Sequence, residues 1–571
     1  MKLRWRLSLA VCVAFACHNH YATAQNIDLE NFPKELRNSK PLSISGGISA
    51  SSVLRTQNVG IDRQSWTNVL TGNVNLNLFH QINLPISFTL TDAGNDLTTP
   101  TLPNRLSLHP KYKSITAHLG DVAMVLSPYT LNGYVFRGAG VDIDVKGKYR
   151  ISALHGRFQK AAEYDSSRLY APAAFRRMGS GLKFVRVGSD YQAGFTAFTS
   201  KDEVGSLRWR PDSASITPMQ NLAVSLEGSM RVLNNLNISG ELGMSHIITD
   251  IRTSNESIAS AVVGKNQQAK TFKAMRMSFD YSFAGVNKIG AQYERVDPGY
   301  TTMGAYFFNN NFESVALQYG RSIFNNKIQI AINAGLQRDN LDKKQDQSST
   351  QTVYAGTISY NNDILTMTAA YSGFQTAVNL KSNLAQNPDV VLADTMNFVQ
   401  LTKSTTINLS YRPGNSKNIS TIVNADFSFQ QTKDDNQNGM GSTRLFNGTL
   451  GYSTSNKKSH RSFSTNFIGN MSKSASAATW MIGPMIGYRW KMFGAKITAS
   501  SSCLYNIQII DGSIQAKALS ARAQFGYILM TKHQINLSFN GIHNQTQQGN
   551  SWSQLLSIGY GYSFSSGRDK K

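Results

Sequence analysis

The chain has 571 residues with 57 Lys and Arg against 34 Asp and Glu, a net charge of +23, and a mean hydropathy of −0.29 although 41% of its residues are hydrophobic. Three cysteines occur, at positions 12, 17 and 503, a count that excludes a disulfide framework and a thiolate metal cluster in the body of the chain. After residue 24 no stretch approaches the ~20 continuous apolar residues of a membrane helix, so a membrane crossing would have to be made by strands.

Lys2, Arg4 and Arg6 precede the apolar run Leu7 to Ala16, and Ala22-Thr23-Ala24 precedes Gln25. This pattern predicts a secretory signal over 1–24 that is removed at a small-residue site. Residues 25–40 read as a short polar periplasmic lead, 41–565 as the folded body and 566–571 as a tail. From about Leu42 onward there are about 26 candidate strands, most of ~9 to 15 residues, the length a tilted transmembrane strand needs.

Within them polar and apolar residues alternate. Asn73, Asn75 and Asn77 interleave with Val74, Leu76 and Leu78; Arg276, Ser278 and Asp280 interleave with Met275, Met277, Phe279 and Tyr281. Gln329 and Asn333 alternate with Ile328, Ile330 and Ile332, and Met481 and Arg489 with Trp480, Ile486, Tyr488 and Trp490, although Pro484 should cost that strand a ladder bond. Period two places one set on each face of a strand, so Asn73, Asn75, Asn77, Arg276, Asp280, Gln329, Asn333 and Arg489 are the expected lumen lining.

The connections alternate as well. Short turns such as Lys146-Gly147-Lys148, Asn234-Asn235, Asn325-Asn326-Lys327 and Thr531-Lys532 take turns with long loops such as 160–174, 251–268, 297–312 and 374–394. Short periplasmic turns and long extracellular loops are the signature of a bacterial outer-membrane barrel, with an even strand number. The expected fold is therefore all-β, a transmembrane antiparallel β-barrel of 26 strands, 24 also satisfying the parity. Lys146, Lys148, Lys288, Lys327, Lys417, Lys457, Lys458, Lys491 and Lys532 all fall at the short turns, where they suit lipid headgroups better than a polyanionic ligand. Trp490, Tyr488, Tyr411 and Tyr562 suit an interfacial girdle.

Gly120 to Gly140 breaks the alternation at an extracellular end. It combines Ser127, Pro128, Tyr129, Asn132 and Arg137 with several glycines, which permit close backbone approach. It reads either as a constriction loop folded into the lumen or as a surface loop followed by a strand. Asp297 to Asn311, rich in aromatic and amide side chains, reads as an external loop meeting a sugar or protein, or packed over the barrel mouth. Asp434-x-Asn436-x-Asn438-Gly439 matches the first half of a calcium loop, but Leu445 stands at the twelfth position, so a turn is the better reading. No metal, cofactor or catalytic residue is assigned; a hydrolase would need a serine and a histidine brought together across strands.

At the carboxy terminus, Ser557-x-Gly559-x-x-Tyr562-x-Phe564 resembles the β-signal recognised during outer-membrane barrel assembly. The whole chain resembles large outer-membrane β-barrel proteins of the Bacteroidota, on Leu126-Ser127-Pro128-Tyr129-Thr130-Leu131-Asn132-Gly133, Gly138-Ala139-Gly140-Val141, Arg295 to Tyr300 and Gly304 to Asn310. The resemblance implies a fold and a lineage and names no substrate. There is no room for the plug domain of a TonB-dependent transporter, and so wide a barrel needs its loops or a second protein to fill it. The expectation is a Gram-negative outer-membrane conduit for a large solute or protein, not an enzyme. Its partners would be outer-membrane lipid and an exported or periplasmic protein, with no nucleic acid and no cofactor. A passive porin-like channel is the alternative.

Overall fold

A computed structural model of the chain describes residues 42–58, 65–79, 81–92, 104–163, 173–208, 216–252, 269–342, 350–378, 398–414, 418–434 and 442–566. Its first strands are β1 (Leu42–Gln57), β2 (Trp66–Leu78), β3 (Ile82–Thr91), β4 (Arg105–Leu108), β5 (Lys111–Tyr112), β6 (Ile115–Val125), β7 (Asn132–Val145), β8 (Tyr149–Gln159) and β9 (Arg176–Val187). Then follow β10 (Tyr191–Glu203), β11 (Gln220–Leu233), β12 (Leu236–Ile248), β13 (Ala269–Phe283), β14 (Asn287–Val296), β15 (Phe312–Ile323), β16 (Ile328–Asp339), β17 (Thr350–Asn361) and β18 (Leu365–Val378). The last are β19 (Phe398–Tyr411), β20 (Ile419–Asp434), β21 (Thr443–Asn456), β22 (Arg461–Lys473), β23 (Ala478–Met492), β24 (Ile497–Ile510), β25 (Ser513–Leu529), β26 (His533–Thr546) and β27 (Gly549–Ser565).

Neighbours in sequence pair antiparallel, and β27 returns to β1 from Ser45↔Ser565 to Gln57↔Ser553, which closes the sheet. β4 and β5 are two halves of one wall strand: both pair with β3 on one side and β6 on the other. The break falls at His109-Pro110, where proline has no N–H to give to a ladder. The wall is thus a closed antiparallel barrel of 26 strands, with a circumference of roughly 160 Å from the usual strand spacing and tilt. At Pro484, β23 keeps its register with β24 but Gly483 and Pro484 have no partner there, the ladder gap expected of that proline.

The connections at one end are tight turns, several with positive φ, such as Lys146-Gly147 (53° and 68°). Outward side chains are large and apolar: Leu182, Phe184, Phe195, Leu226, Leu242, Phe279, Leu317, Ile486, Trp552 and Ile558 are all exposed. In water such a belt would drive aggregation; a bilayer is its natural surroundings. Cys503 lies opposite outward Ile486 and is exposed on the same face.

The packed core lies inside the barrel and on one side of it. Its main cluster joins Val122, Met124, Leu126, Leu131, Tyr134, Phe136, Leu154, Phe158 and Phe198 from the inward faces of β6, β7, β8 and β10, with Tyr306 against them. The inner faces of β16, β23 and β2 instead carry exposed polar groups, Gln329, Asn333, Arg489 and Asn73 among them. With Cys503 replaced by serine, Asn75→Cys should react with a membrane-impermeant maleimide and Leu76→Cys should not. The reverse pattern would contradict this assignment of faces.

Candidate functional site

The feature that separates this barrel from a plain cylinder is the upper part of β6 and β7. On the β4 side the ladder ends at Ser107↔Gly120, and on the β8 side at Arg137↔Arg157. Val122 to Phe136 form no ladder with β4 or β8, pair chiefly with each other, and lean into the lumen. The segment read as a loop is mostly two strand ends, with the turn confined to Leu126–Leu131.

A row of glycines in register marks the bend: Gly120↔Gly138, Gly138↔Gly156 and Gly156↔Gly179. Gly120 has φ +94°, and a Cβ there would stand 2.2 Å from Leu106 O; at Gly138 it would stand 2.2 Å from His155 O. Only glycine permits backbones so close. Asp121 secures the hinge: its carboxylate takes Arg137 Nε at 2.7 Å and Nη2 at 3.0 Å, and replaces the missing ladder acceptor by taking Leu106 N–H at 3.0 Å. Of the candidate constriction residues, Arg137 therefore sits at the hinge, outward and half-exposed, and not in the tip.

The tip itself is buried. Ser127, Tyr129, Thr130 and Leu131 are all 2% exposed or less. Ser127 Oγ donates to Glu241 Oε1 at 2.5 Å and accepts from Ser225 Oγ at 3.0 Å. Tyr129 Oη donates to Glu294 Oε1 at 2.9 Å, and Arg276 Nη2 donates to the same oxygen at 2.8 Å. Lys183 Nζ reaches both Leu126 O at 2.6 Å and Glu227 Oε1 at 2.7 Å. Burial, then the Glu294 carboxylate, push the Tyr129 phenol far above its ordinary value, so it stays a donor at any physiological pH.

The connection between β14 and β15 joins the same unit. Gly304 bridges Leu131, and Asn132 N donates to Gly304 O at 3.0 Å. Tyr300 Oη donates to Tyr129 O, and Thr302 Oγ1 to Thr130 O, both at 2.7 Å. Tyr306 stacks on Tyr134 with ring centroids 4.0 Å apart. Asn221, fully buried on β11, closes the contact: its amide donates to Ser245 Oγ and His246 O and its Oδ1 accepts from Met303 N. Of the two readings of residues 297–311, the packed one describes what the structure contains. Below the tip, towards the tight turns, Gln192, Glu227, Glu241, Arg276 and Ser278 line a cavity of about 320 Å³.

Of the expected lumen residues, only Arg276 is gathered into this unit. Asp280 lies on the same inner face nearer the turns, while Asn73, Asn75, Asn77, Gln329, Asn333 and Arg489 lie along the inner faces of other strands. Gly559, Tyr562 and Phe564 are in the closing strand, Tyr562 and Phe564 stacked at 5.6 Å between ring centroids. Glu241, Glu294, Lys183 and Asn221 carry no signal in the sequence, whereas Gly304 lies in the stretch 297–311 singled out there. Alternation marks the inward face, but it says nothing of the height at which a folded-in tip will land.

Of the calcium-like stretch that begins at Asp434, the end of β20, residues 435–439 lie outside the described residues, and among the described residues no group of His, Cys, Asp and Glu is placed to hold a metal. Two groupings of serine and histidine meet across strands: in one, Ser152 Oγ donates to Asp142 at 2.5 Å, His118 Nε2 is 2.8 Å from the same carboxylate, and His109 Nδ1 is 2.8 Å from His118 Nδ1; in the other, His155 Nδ1 is 2.8 Å from Ser180 Oγ on the outward face of β8 and β9. In the first the serine is bonded to the carboxylate and has no imidazole to take its proton; in the second serine and imidazole do meet, but among the described residues no carboxylate is bonded to His155 to complete a triad.

No family model matches the chain, and no curated protein matches it. Among solved structures, it is similar to the translocation pore of the P pilus usher PapC, at 11% identity over 91% of this chain and 100% of that one, TM-score 0.39. It is also similar to the FrpB iron transporter of Neisseria meningitidis, at 8% identity over 93% and 84%, TM-score 0.39. A third likeness is to an E. coli P pilus tip assembly intermediate, at 11% identity over 92% and 61%, TM-score 0.45. None of them is close enough to lend this chain an activity.

Proposed function

We propose that the chain is an outer-membrane conduit for a large solute or a partner protein, constricted by the inward hairpin of β6 and β7 together with residues 297–311. The observation that carries this reading is the hairpin itself. Fifteen residues leave the wall ladders on both sides and are tied instead to inward charged groups on β9, β12 and β14. A strand pair gives up ladder bonds worth roughly 0.5–1.5 kcal/mol each only where other contacts replace them. Charge-assisted bonds of ~1.5–3 kcal/mol each do so here. Removal of 1–24 as a signal, a periplasmic lead at 25–40 and tail at 566–571, and assembly through Gly559, Tyr562 and Phe564 belong to the same proposal. So do a Gram-negative outer-membrane location, a Bacteroidota lineage and the absence of a catalytic step.

A second reading, a passive diffusion channel, is favoured by the arc of exposed polar residues at Asn73, Gln329, Asn333 and Arg489, which the hairpin does not cover. Entry of graded sugars into proteoliposomes separates the two. The conduit reading expects small sugars to enter slowly and large ones to be excluded until a partner protein binds. Rapid entry of large sugars through the protein alone would establish the passive channel instead.

A further inference from the structure

The departure of the hairpin leaves a notch in the extracellular end of the wall, and the outer surface beside it carries an unbalanced row of cations. Register places Arg137 opposite Arg157, Arg157 opposite Met178, and Met178 opposite Lys201, so three basic side chains lie in one row across β7 to β10. All face outward, on the side of Tyr149, Leu182 and Phe195, which are exposed. Like charges directly opposite on one face repel. Arg137 is engaged by Asp121, but among the described residues neither the half-buried Arg157 nor the exposed Lys201 makes an ion pair, and the outward carboxylate next along β10, Glu203, is taken by Arg176.

The height of the row is informative. Immediately below it come Ala139, His155, Ser180 and Thr199, and below those the apolar belt begins with Val141, Ala153, Leu182 and Ala197. Two outward positions above Leu182 are roughly 10 Å of rise along a tilted strand, which is headgroup depth and not acyl-chain depth. A nearby lipid therefore presents its anionic group at this level. Arginine offers the planar fork that grips phosphate, and lysine a point charge beside it.

We propose that Arg157 and Lys201, with Arg137 at the hinge, form a seat for the phosphate of an outer-leaflet lipid headgroup. Such a lipid would cap the notch that the hairpin leaves, and its phosphate would offset the repulsion along the row. The seat is independent of whether the lumen conducts.

The test is the phosphorylated lipid that stays with the purified, folded barrel, counted by native mass spectrometry, for wild type, the double variant R157Q/K201Q, and R489Q on the inner face of β23. Heat-modified mobility on gels confirms that each is folded. Wild type and R489Q should retain lipid equally, and the double variant should bind it about 30-fold more weakly, from the usual contribution of two surface cations. Equal retention by the double variant would overturn the proposal. So would displacement of the lipid by millimolar inorganic phosphate, which would mark the row as a site for a soluble anion.

Discussion

Cells carrying the barrel with Val122 to Phe136 replaced by an Asn-Gly turn should become sensitive to large antibiotics that the intact barrel keeps out. Asp121 and Arg137 stand directly opposite in register, so two residues suffice to join them, and Asn-Gly suits the tight hairpin that results. Every ladder that β6 and β7 make with β4, β5 and β8 survives the replacement. What is lost is the material inside: the tip, its hold on Glu241 and Glu294, and most of the interior apolar cluster. Unchanged sensitivity, with the variant present at the cell surface in normal amount, would show that the hairpin is no barrier.

Gly304→Val should free the tip while leaving the wall intact. A Cβ at Gly304 would fall 2.5 Å from Thr130 O, 3.0 Å from Leu131 Cα and 3.0 Å from the Phe198 ring, so the hairpin backbone must shift to admit it. Overpacking of this kind costs ~1–3 kcal/mol, and it falls on the bridge that joins the hairpin to residues 297–311. Tyr129 and Tyr300, both shielded in the wild type, should then become substrates for chymotrypsin while the strands stay resistant. Proteoliposomes of the variant should leak severalfold faster. Continued resistance of Tyr129, with no added leak, would mean that the bridge is dispensable.

Much of the barrel is legible in the sequence because each strand obeys a local rule. The alternation of Asn73, Asn75 and Asn77 with Val74, Leu76 and Leu78 decides faces without reference to neighbours. The succession of short and long connections decides orientation, and with it an even count of 26 strands. The interrupted strand at His109-Pro110 escapes that count only in name, since its halves share both neighbours.

The hairpin is a different matter. Glycines at 120, 138 and 140 allow a bend but give it no direction, so an inward and a surface course read alike. Direction comes from partners far along the chain: Glu241 and Glu294 for the tip, Gly304 for the turn. Nearness in sequence groups Arg137 with the tip, yet it belongs to the hinge because Asp121 stands across from it. The two stretches that prompted the resemblance to Bacteroidota barrels, around Ser127 and around Tyr300, prove to be the two sides of one contact.

The most direct test of the constriction is a paired single-channel recording in planar bilayers, the intact barrel beside the Asn-Gly replacement. The account predicts a small, mostly closed conductance for the intact protein and a large, steady one for the replacement. Equal, large conductance in both would contradict it and leave a passive channel whose inward hairpin has some other task.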